Sequence, residues 1–521
     1  MSIQVSDPQR FISVVASVLG GALPEQALHA RLVDCGGDSI VAAALAARCF
    51  REYGVKVPVS FILRAPQLQA VLDYLIEHAS STAPAATVAS GPAGRFAQNA
   101  AQQLIYFAHT VDASTTAYNI PLILRTPSAI PAARFQQAVS DAARQFPMVF
   151  SRFAQDNTGP WFEAGPAQDI AVQSFSSAGE AAAHFVQPFD LASGVLLRAG
   201  MVPFNGIETT LLLDFSHIAA DGLSVGLFVQ ALKDQLTRSD ISPAPRTFWA
   251  AAPEQTEAAA AFWQQRLQDV VARPLWPADR NSSAPLGYAV EYVLLDATLA
   301  ADLRRLAARL GATPFSVMLL AYALLQISFT HEWRSHVGVV VSGRDQAELG
   351  DVFGMFVNAV IVPFALHTDG TVGAAVQALA EQFLGTLDYQ SYPFQQQLHH
   401  VKNHNEQPRP TLDALLVYQN IDYQKIDVAG GRFRSFCEAR KQAQLPQVIH
   451  VFDLAEQGYE IQWEYCPQRF DAETIAVFAS NLQRILRRLV NASDATPLQT
   501  LIETAAPASQ ASPIAAADFD F

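Results

Sequence analysis

His217 and Asp221 lie four residues apart in Ser216-His217-Ile218-Ala219-Ala220-Asp221-Gly222, and here the 521-residue chain could move a proton. Imidazole is the side chain best suited to that task near neutral pH. Asp221 can fix the loop through an ion pair or hydrogen bonds, and Gly222 admits backbone conformations closed to other residues. The apolar run from Thr209 to Phe215 predicts a buried strand before the loop. Ser224 can cap a helix after it, since Val225, Leu227, Phe228 and Leu232 follow at helical spacing. A histidine held on a tight turn between two rigid elements fits general base work. A strand-to-helix turn with a surface histidine would look the same.

A second chemical candidate lies upstream in Asp34-Cys35-Gly36-Gly37-Asp38-Ser39-Ile40. Two glycines make a loop, Asp38 and Ser39 suit a helix start, and Ile40 to Arg48 is strongly helical. A hydroxyl at a helix N-terminus welcomes a phosphodiester. A plain helix-capping serine is the alternative. Helical patterns near 8–20, 39–53 and 66–78 surround Ser39, the size of a small helical module.

The first loop resembles the HHxxxDG signature of condensation domains in nonribosomal peptide synthetases, with Ser216 replacing the first histidine. Further pieces resemble that family's motifs in the same order. They are Ala101-Gln-Gln-Leu-Ile-Tyr-Phe107, Ala117-Tyr-Asn-Ile-Pro121, Pro188-Phe-Asp-Leu191 with Leu196-Leu-Arg198, and Val341-Ser-Gly-Arg344. Gly354-Met-Phe-Val-Asn358, Tyr392-Pro-Phe394 and Leu416-Val-Tyr-Gln-Asn420 follow. The resemblance spans roughly residues 97 to 490. The Ser39 segment resembles the LGGDSI site of peptidyl carrier proteins, which implies covalent 4′-phosphopantetheine on Ser39.

The resemblance implies a small four-helix carrier bundle plus an α/β two-lobed chloramphenicol-acetyltransferase-like condensation domain with a tunnel between the lobes. His217 would deprotonate or position an amine. Gly222 would offer its N–H to the developing oxyanion, and Asp221 would pair with Arg344 to lock the loop. Asn358 would line the tunnel or stabilise a turn. Ser216 is a replacement seen in some termination-type domains, which release products by cyclisation. Arg144 to Phe153 keeps little of the RHExLRTxF segment, and the YxDYAxW segment is hardly recognisable around Phe248-Trp249.

The expected activity is therefore an acyltransferase. A thioester on the carrier passes to an amine or hydroxyl supplied in trans, on an acceptor carrier protein or as a small molecule. Release of product by cyclisation or to a free small nucleophile, and a non-catalytic platform for carrier docking, are the other readings. Expected partners are a phosphopantetheinyl transferase and upstream synthetase modules, with a monomer otherwise.

Composition fits a cytoplasmic enzyme. Hydrophobic residues make up 50% and charged residues 16%, and 48 acidic against 34 basic residues leave a net charge of −14. Such a surface does not attract nucleic acid or anionic lipid. The N-terminus lacks a signal-peptide pattern, and no apolar run is of membrane-spanning type. Cys35, Cys49, Cys437 and Cys466 form no metal-ligand spacing, and His399, His400 and His404 lie in a polar stretch, so no metal is expected.

Small uncharged residues from Ala79 to Gly94 read as a linker, and a similar stretch precedes Asp518-Phe519-Asp520-Phe521. That tail suits a docking motif, a severed linker or a disordered end. The expected divisions are a carrier at 1–80, a linker at 81–96, lobes at 97–270 and 271–495, and a tail at 496–521. The break between lobes is expected near 265–285, where Pro274, Pro277 and Pro285 cluster. Strands alternate with helices between the linkers, for example the strand 357–364 before the helix 373–387, which predicts α/β layers.

Overall fold

A computed structural model describes residues 7–19, 22–35, 37, 39–78, 94–238, 256–270, 275–280, 282, 286–344, 349–350, 352–401, 412–419, 424, 426–454 and 457–502. The linker, the Phe248-Trp249 segment, the C-terminal tail, Asp38, Pro274, Pro285, His404 and Asn420 lie outside the described residues.

Four helices form the N-terminal module: α1 (Pro8–Leu19), α2 (Ser39–Tyr53), α3 (Val59–Arg64) and α4 (Leu68–His78). Phe11, Val15, Leu45, Cys49, Ile62, Val71 and Leu75 fill its core. Sequence periodicity reveals three of these helices. The six-residue α3 is too short to show a period, and Pro58 and Ala65 bound it.

The next lobe opens with β1 (Phe96–Ala97), α5 (Ala100–Val111), β2 (Asn119–Thr126), α6 (Ala132–Arg144), β3 (Ser151–Asp156) and β4 (Gly159–Ala164). It continues with β5 (Val172–Ser174), α7 (Ala178–His184), β6 (Leu197–Val202), β7 (Thr209–Ser216) and α8 (Gly222–Thr237). Every residue of β7 is buried, which explains its apolar run from Leu211 to Leu213 and requires a partner for the one charge in it, Asp214.

The second lobe holds α9 (Glu257–Leu267), β8 (Ala289–Leu295), α10 (Ala297–Arg309), α11 (Pro314–Thr330), β9 (Arg334–Val341), β10 (Asn358–Ala365), α12 (Val372–Leu387) and α13 (Phe394–His400). Then come β11 (Ala414–Gln419), β12 (Arg434–Ser435), β13 (Gln447–Asp453), β14 (Tyr459–Tyr465), α14 (Ala472–Asn491) and α15 (Gln499–Ile502). Its sheet has the order β10-β9-β11-β13-β14-β8. Helix α11 is buried from Phe315 to Ile327, as an all-round apolar helix must be.

The sheet of the first lobe has the order β12-β2-β7-β6-β5. Strand β12 comes from the second half of the chain, so the lobes are laced together there. Its residues Arg434 and Ser435 pair with Ile123 and Leu122 of β2.

The change of lobe falls earlier than the proline cluster suggests. Helix α9 packs with the second lobe: Trp263 is fully buried there, and its indole N–H donates to the Tyr389 carbonyl at 3.2 Å. Prolines mark breaks in the chain, but the burial of Trp263 decides which lobe the helix joins.

The helical module sits on the second lobe. Helix α3 packs on α12. Ser60 Oγ donates to Asp388 at 2.5 Å, and Arg64 pairs with Glu381 at 3.0 Å. Arg31 lies over Gly311, where a Cβ would come within 2.6 Å of its Nη1. Gly311 has φ +65°, which is what makes glycine suit the turn between α10 and α11, since the Arg31 tip could swing aside. Among the described residues, no single helix is long and apolar enough to cross a membrane.

Candidate active site

His217 sits on the turn between β7 and α8, and its backbone N–H donates to the Tyr118 carbonyl of the loop before β2 at 2.8 Å. Asp221, not Ser224, caps α8. It accepts from the Ser224 N–H at 2.9 Å, and Ser224 is the third residue inside the helix. The carboxylate outcompetes the hydroxyl for the cap because it also meets a cation. Arg344 Nη2 lies 2.9 and 2.8 Å from its two oxygens, with side-chain exposures of 3% and 1%. The Phe356 N–H adds a bond at 3.2 Å. Ser224 Oγ donates to the Gly354 carbonyl and accepts from the Gly354 N–H. The two lobes are thus clamped at the histidine loop, through two motifs far apart in sequence.

Gly343 makes the approach possible. At φ +64° it places Arg344, and a Cβ there would lie 1.8 Å from the Phe356 carbonyl oxygen. Gly222 uses no such freedom, because it is the first residue of α8 and has no positive φ. Its N–H is one of the helix's first four, which have no intrahelical acceptor. Ser216 is buried, and its hydroxyl has no hydrogen-bond partner among the described residues. Asn358 does not line the cavity described below. Its amide donates to the carbonyls of Gln390 and Tyr392, at 2.8 and 2.7 Å. The motif Pro188 to Arg198 closes on β7: Arg198 pairs with the buried Asp214 at 2.7 Å and reaches the carbonyls of Gln187 and Pro188.

A cavity of about 600 Å³ joins these residues. His217, Gly222, Ile120 and Leu122 line its first-lobe side. Strands β9 and β11 pair only at Gly338–Leu415 and Val339–Leu416, then part. Beyond that register Val340, Val341 and Ser342 on one strand and Val417, Tyr418 and Gln419 on the other line the cavity. Phe315, Phe383 and Leu387 of α11 and α12 extend the wall, and Ala44 and Val59 of the helical module complete it. One cavity is therefore lined by residues of the helical module, of the parted strands and of the His217 loop. Ser39 opens α2, the helix that carries Ala44.

Burial pushes the His217 imidazole below the ordinary 6.5, and the nearby Arg440 cation adds to that, while Asp221 opposes it. The ring is thus neutral and able to accept a proton at pH 7. Its Nδ1 is buried with no partner among the described residues. The sign for stability follows. Below about pH 6.5 the unfolded imidazole takes up a proton that the folded one resists, so acidification costs stability. For activity, the acid limb of the rate should fall below pH 6.5, measured at fixed concentration of free amine. A limb centred above 6.5 would show that His217 does not set it.

No sequence motif marks the far wall of the cavity. Glu464, buried on β14, accepts from Arg440 at 2.8 and 2.9 Å. His450 of β13 lies 3.5 Å from the same carboxylate. Burial alone would raise the Glu464 carboxyl, but Arg440 and then His450 hold it down at about 2. Gln390 is likewise outside every motif; it accepts from the Gly343 N–H at 3.1 Å and lines the cavity. The sequence hides Glu464, because Glu460, Gln462 and Glu464 alternate with apolar residues along β14 as on a half-exposed strand, whereas Glu464 is buried. All four cysteines are free thiols, and no group of three potential metal ligands occurs among the described residues.

Comparison with known proteins agrees with this architecture. Residues 94–505 match the family described as condensation domain, and residues 9–75 match the phosphopantetheine attachment site. The chain belongs to the condensation-domain family, with a phosphopantetheine-bearing carrier region ahead of it, the arrangement of a nonribosomal peptide synthetase. It is 26% identical over 491 residues to tyrocidine synthase 2 of Brevibacillus parabrevis, covering 90% of this chain and 13% of that protein. Against bacitracin synthase 3 of Bacillus licheniformis it is 24% identical over 488 residues, covering 88% of this chain and 8% of that one. The chain therefore spans only a small part of these relatives. The first condensation domain of the calcium-dependent antibiotic synthetase, in complex with a substrate analogue, has the same fold. Its TM-score is 0.66 at 20% identity, over 78% of this chain and 99% of that one. The X-domain from teicoplanin biosynthesis superposes at 0.67 with 18% identity, over 79% and 98%.

Proposed function

We propose that this chain transfers an acyl group from its own carrier region to an amine supplied in trans, forming an amide, with Ser39 as the attachment point and His217 as the group that handles the amine. The observation that supports this reading is the shared cavity, lined by Ala44 and Val59 of the carrier region and by His217. A carrier seated there is the acyl donor.

The residues around Ser39 suit the phosphopantetheine arm. Ser39 is the first residue of α2, and Gly37 approaches Leu32 so closely that a Cβ would meet its Cγ at 2.5 Å. The turn is therefore tight, and it ends at a helix N-terminus that favours a phosphodiester. When attached, the arm supplies a thiol that holds the acyl group as a thioester. The arm would enter beside the residues of β9 and β11 that line the cavity beyond their two paired positions. His217 takes or orients a proton of the attacking amine as the C–N bond forms. The thioester C–S bond breaks, and the proton ends on the departing thiolate. The Gly222 N–H binds the carbonyl oxygen as it gains charge. Orientation in a closed cavity supplies much of the rate, since effective molarities of aligned reactants are large.

Attachment is tested by loading. A broad phosphopantetheinyl transferase with coenzyme A should add one arm, read by intact mass, and Ser39→Ala should add none while its melting temperature holds. An arm on any other residue would overturn the Ser39 assignment.

A further inference from the structure

The sheet of the second lobe presents one continuous face to the cavity. Across four strands Val417, His450, Gln462 and Tyr292 stand side by side in register. The first three line the cavity, and Tyr292 on the edge strand β8 is 44% exposed. Leu294, on the same face of β8, is 68% exposed. This row leads away from the parted strands, where the carrier region stands, toward solvent. The wall changes character along it, from the apolar Phe315, Phe383 and Leu387 to carboxamides and a charge-matched pair.

The polar groups form a chain with a fixed order. Arg440 donates to Glu464, His450 Nε2 faces Glu464 at 3.5 Å, and the Gln419 amide meets His450 Nδ1 at 3.3 Å. Gln462 donates to Glu460 at 2.6 Å and accepts from Cys437 Sγ at 3.1 Å. A carboxamide has two N–H groups and two lone pairs. Gln419 and Gln462 therefore keep hydrogen-bonding capacity beyond these contacts, with their bodies held in place. Arg440 and Glu464 cancel in charge, so the patch offers hydrogen bonds rather than net charge. An aliphatic substrate would leave it unsatisfied, which is costly in a closed site.

We propose that Gln419, oriented by the His450–Glu464–Arg440 chain, and Gln462, held by Glu460 and Cys437, select the nucleophile, and that this nucleophile carries a neutral hydrogen-bonding group, an amide or hydroxyl, beside its attacking amine. The proposal rests on the acyl-transfer reading above.

The test compares glycinamide with isobutylamine, two amines of equal heavy-atom count, at equal free-base concentration. Binding to the full chain is read by calorimetry, and transfer from a chain loaded with acetyl-coenzyme A is read by product mass. The expected result is binding of glycinamide about tenfold tighter or more, as one or two buried hydrogen bonds allow. The Gln419→Leu, Gln462→Leu double variant should bring the ratio close to one, chiefly by raising KM for glycinamide, with kcat moving less. Gln419 is only partly buried, so the single Gln419→Leu carries the same reading if the pair does not fold. Equal binding of both amines by the wild type, or an undiminished preference in the variant, would overturn the proposal. Selective binding without transfer would leave the subsite standing and refute the acyl-transfer reading instead.

Discussion

Asp221→Ala should lower stability by about 3–5 kcal/mol, because it strands a buried guanidinium. Arg344 Nη2 would lose both carboxylate oxygens, the Phe356 N–H its acceptor, and helix α8 its cap. The cap alone is worth roughly 1 kcal/mol. Arg344→Ala should cost a similar amount, since Asp221 would remain buried and charged while the carbonyls of Leu349 and Val352 lose their donor. Asp221→Asn separates the contributions: it can still cap the helix but cannot answer the charge. Denaturant unfolding of the two alanine variants and the double variant gives the coupling. Non-additivity of roughly 0.5–3 kcal/mol is expected for residues in contact. Variants that unfold like the wild type, or losses that simply sum, would mean that the pair does not hold the loop.

His217→Ala should reduce amide formation by about 100-fold to 10,000-fold, the usual contribution of a positioned proton-transfer group. Its fold should survive, because the loop is held by Asp221, Arg344 and the backbone bond to Tyr118, none of which needs the imidazole. A nucleophile supplied already as the free base should lose less if proton removal outweighs orientation, and as much if orientation outweighs proton removal. Persistence of the wild-type rate would end any catalytic role for His217 and favour a platform that only receives carriers.

Much of the local structure is legible in the chain, for reasons that differ by element. The strand at β7 and the long α11, α12 and α14 announce themselves by apolar runs or helical period. The Asp221–Arg344 contact spans more than a hundred residues; only the family resemblance suggests it, since no local pattern can. Helix α3 is too short to show a period, and α9 reads as the end of the first lobe, although Trp263 is buried in the second. Of the two roles open to Asn358, lining the tunnel or stabilising a turn, its amide is engaged with the carbonyls of Gln390 and Tyr392. The wall of Gln419, His450, Gln462 and Glu464 comes from three strands, and only Gln419 falls in a motif. It exists only once strand register is known, because register decides which alternate residues share a face.

The most direct measurement is a single turnover followed by intact mass. The chain is loaded on Ser39 with an acyl group and mixed with an amine at fixed pH. The acyl mass should leave the protein as the amide appears in solution, quickly in the wild type and at least about 100 times more slowly in His217→Ala. Amide appearing at the same rate from both proteins, or acyl loss without any amide, would contradict a catalytic His217 acting on a carrier-bound thioester.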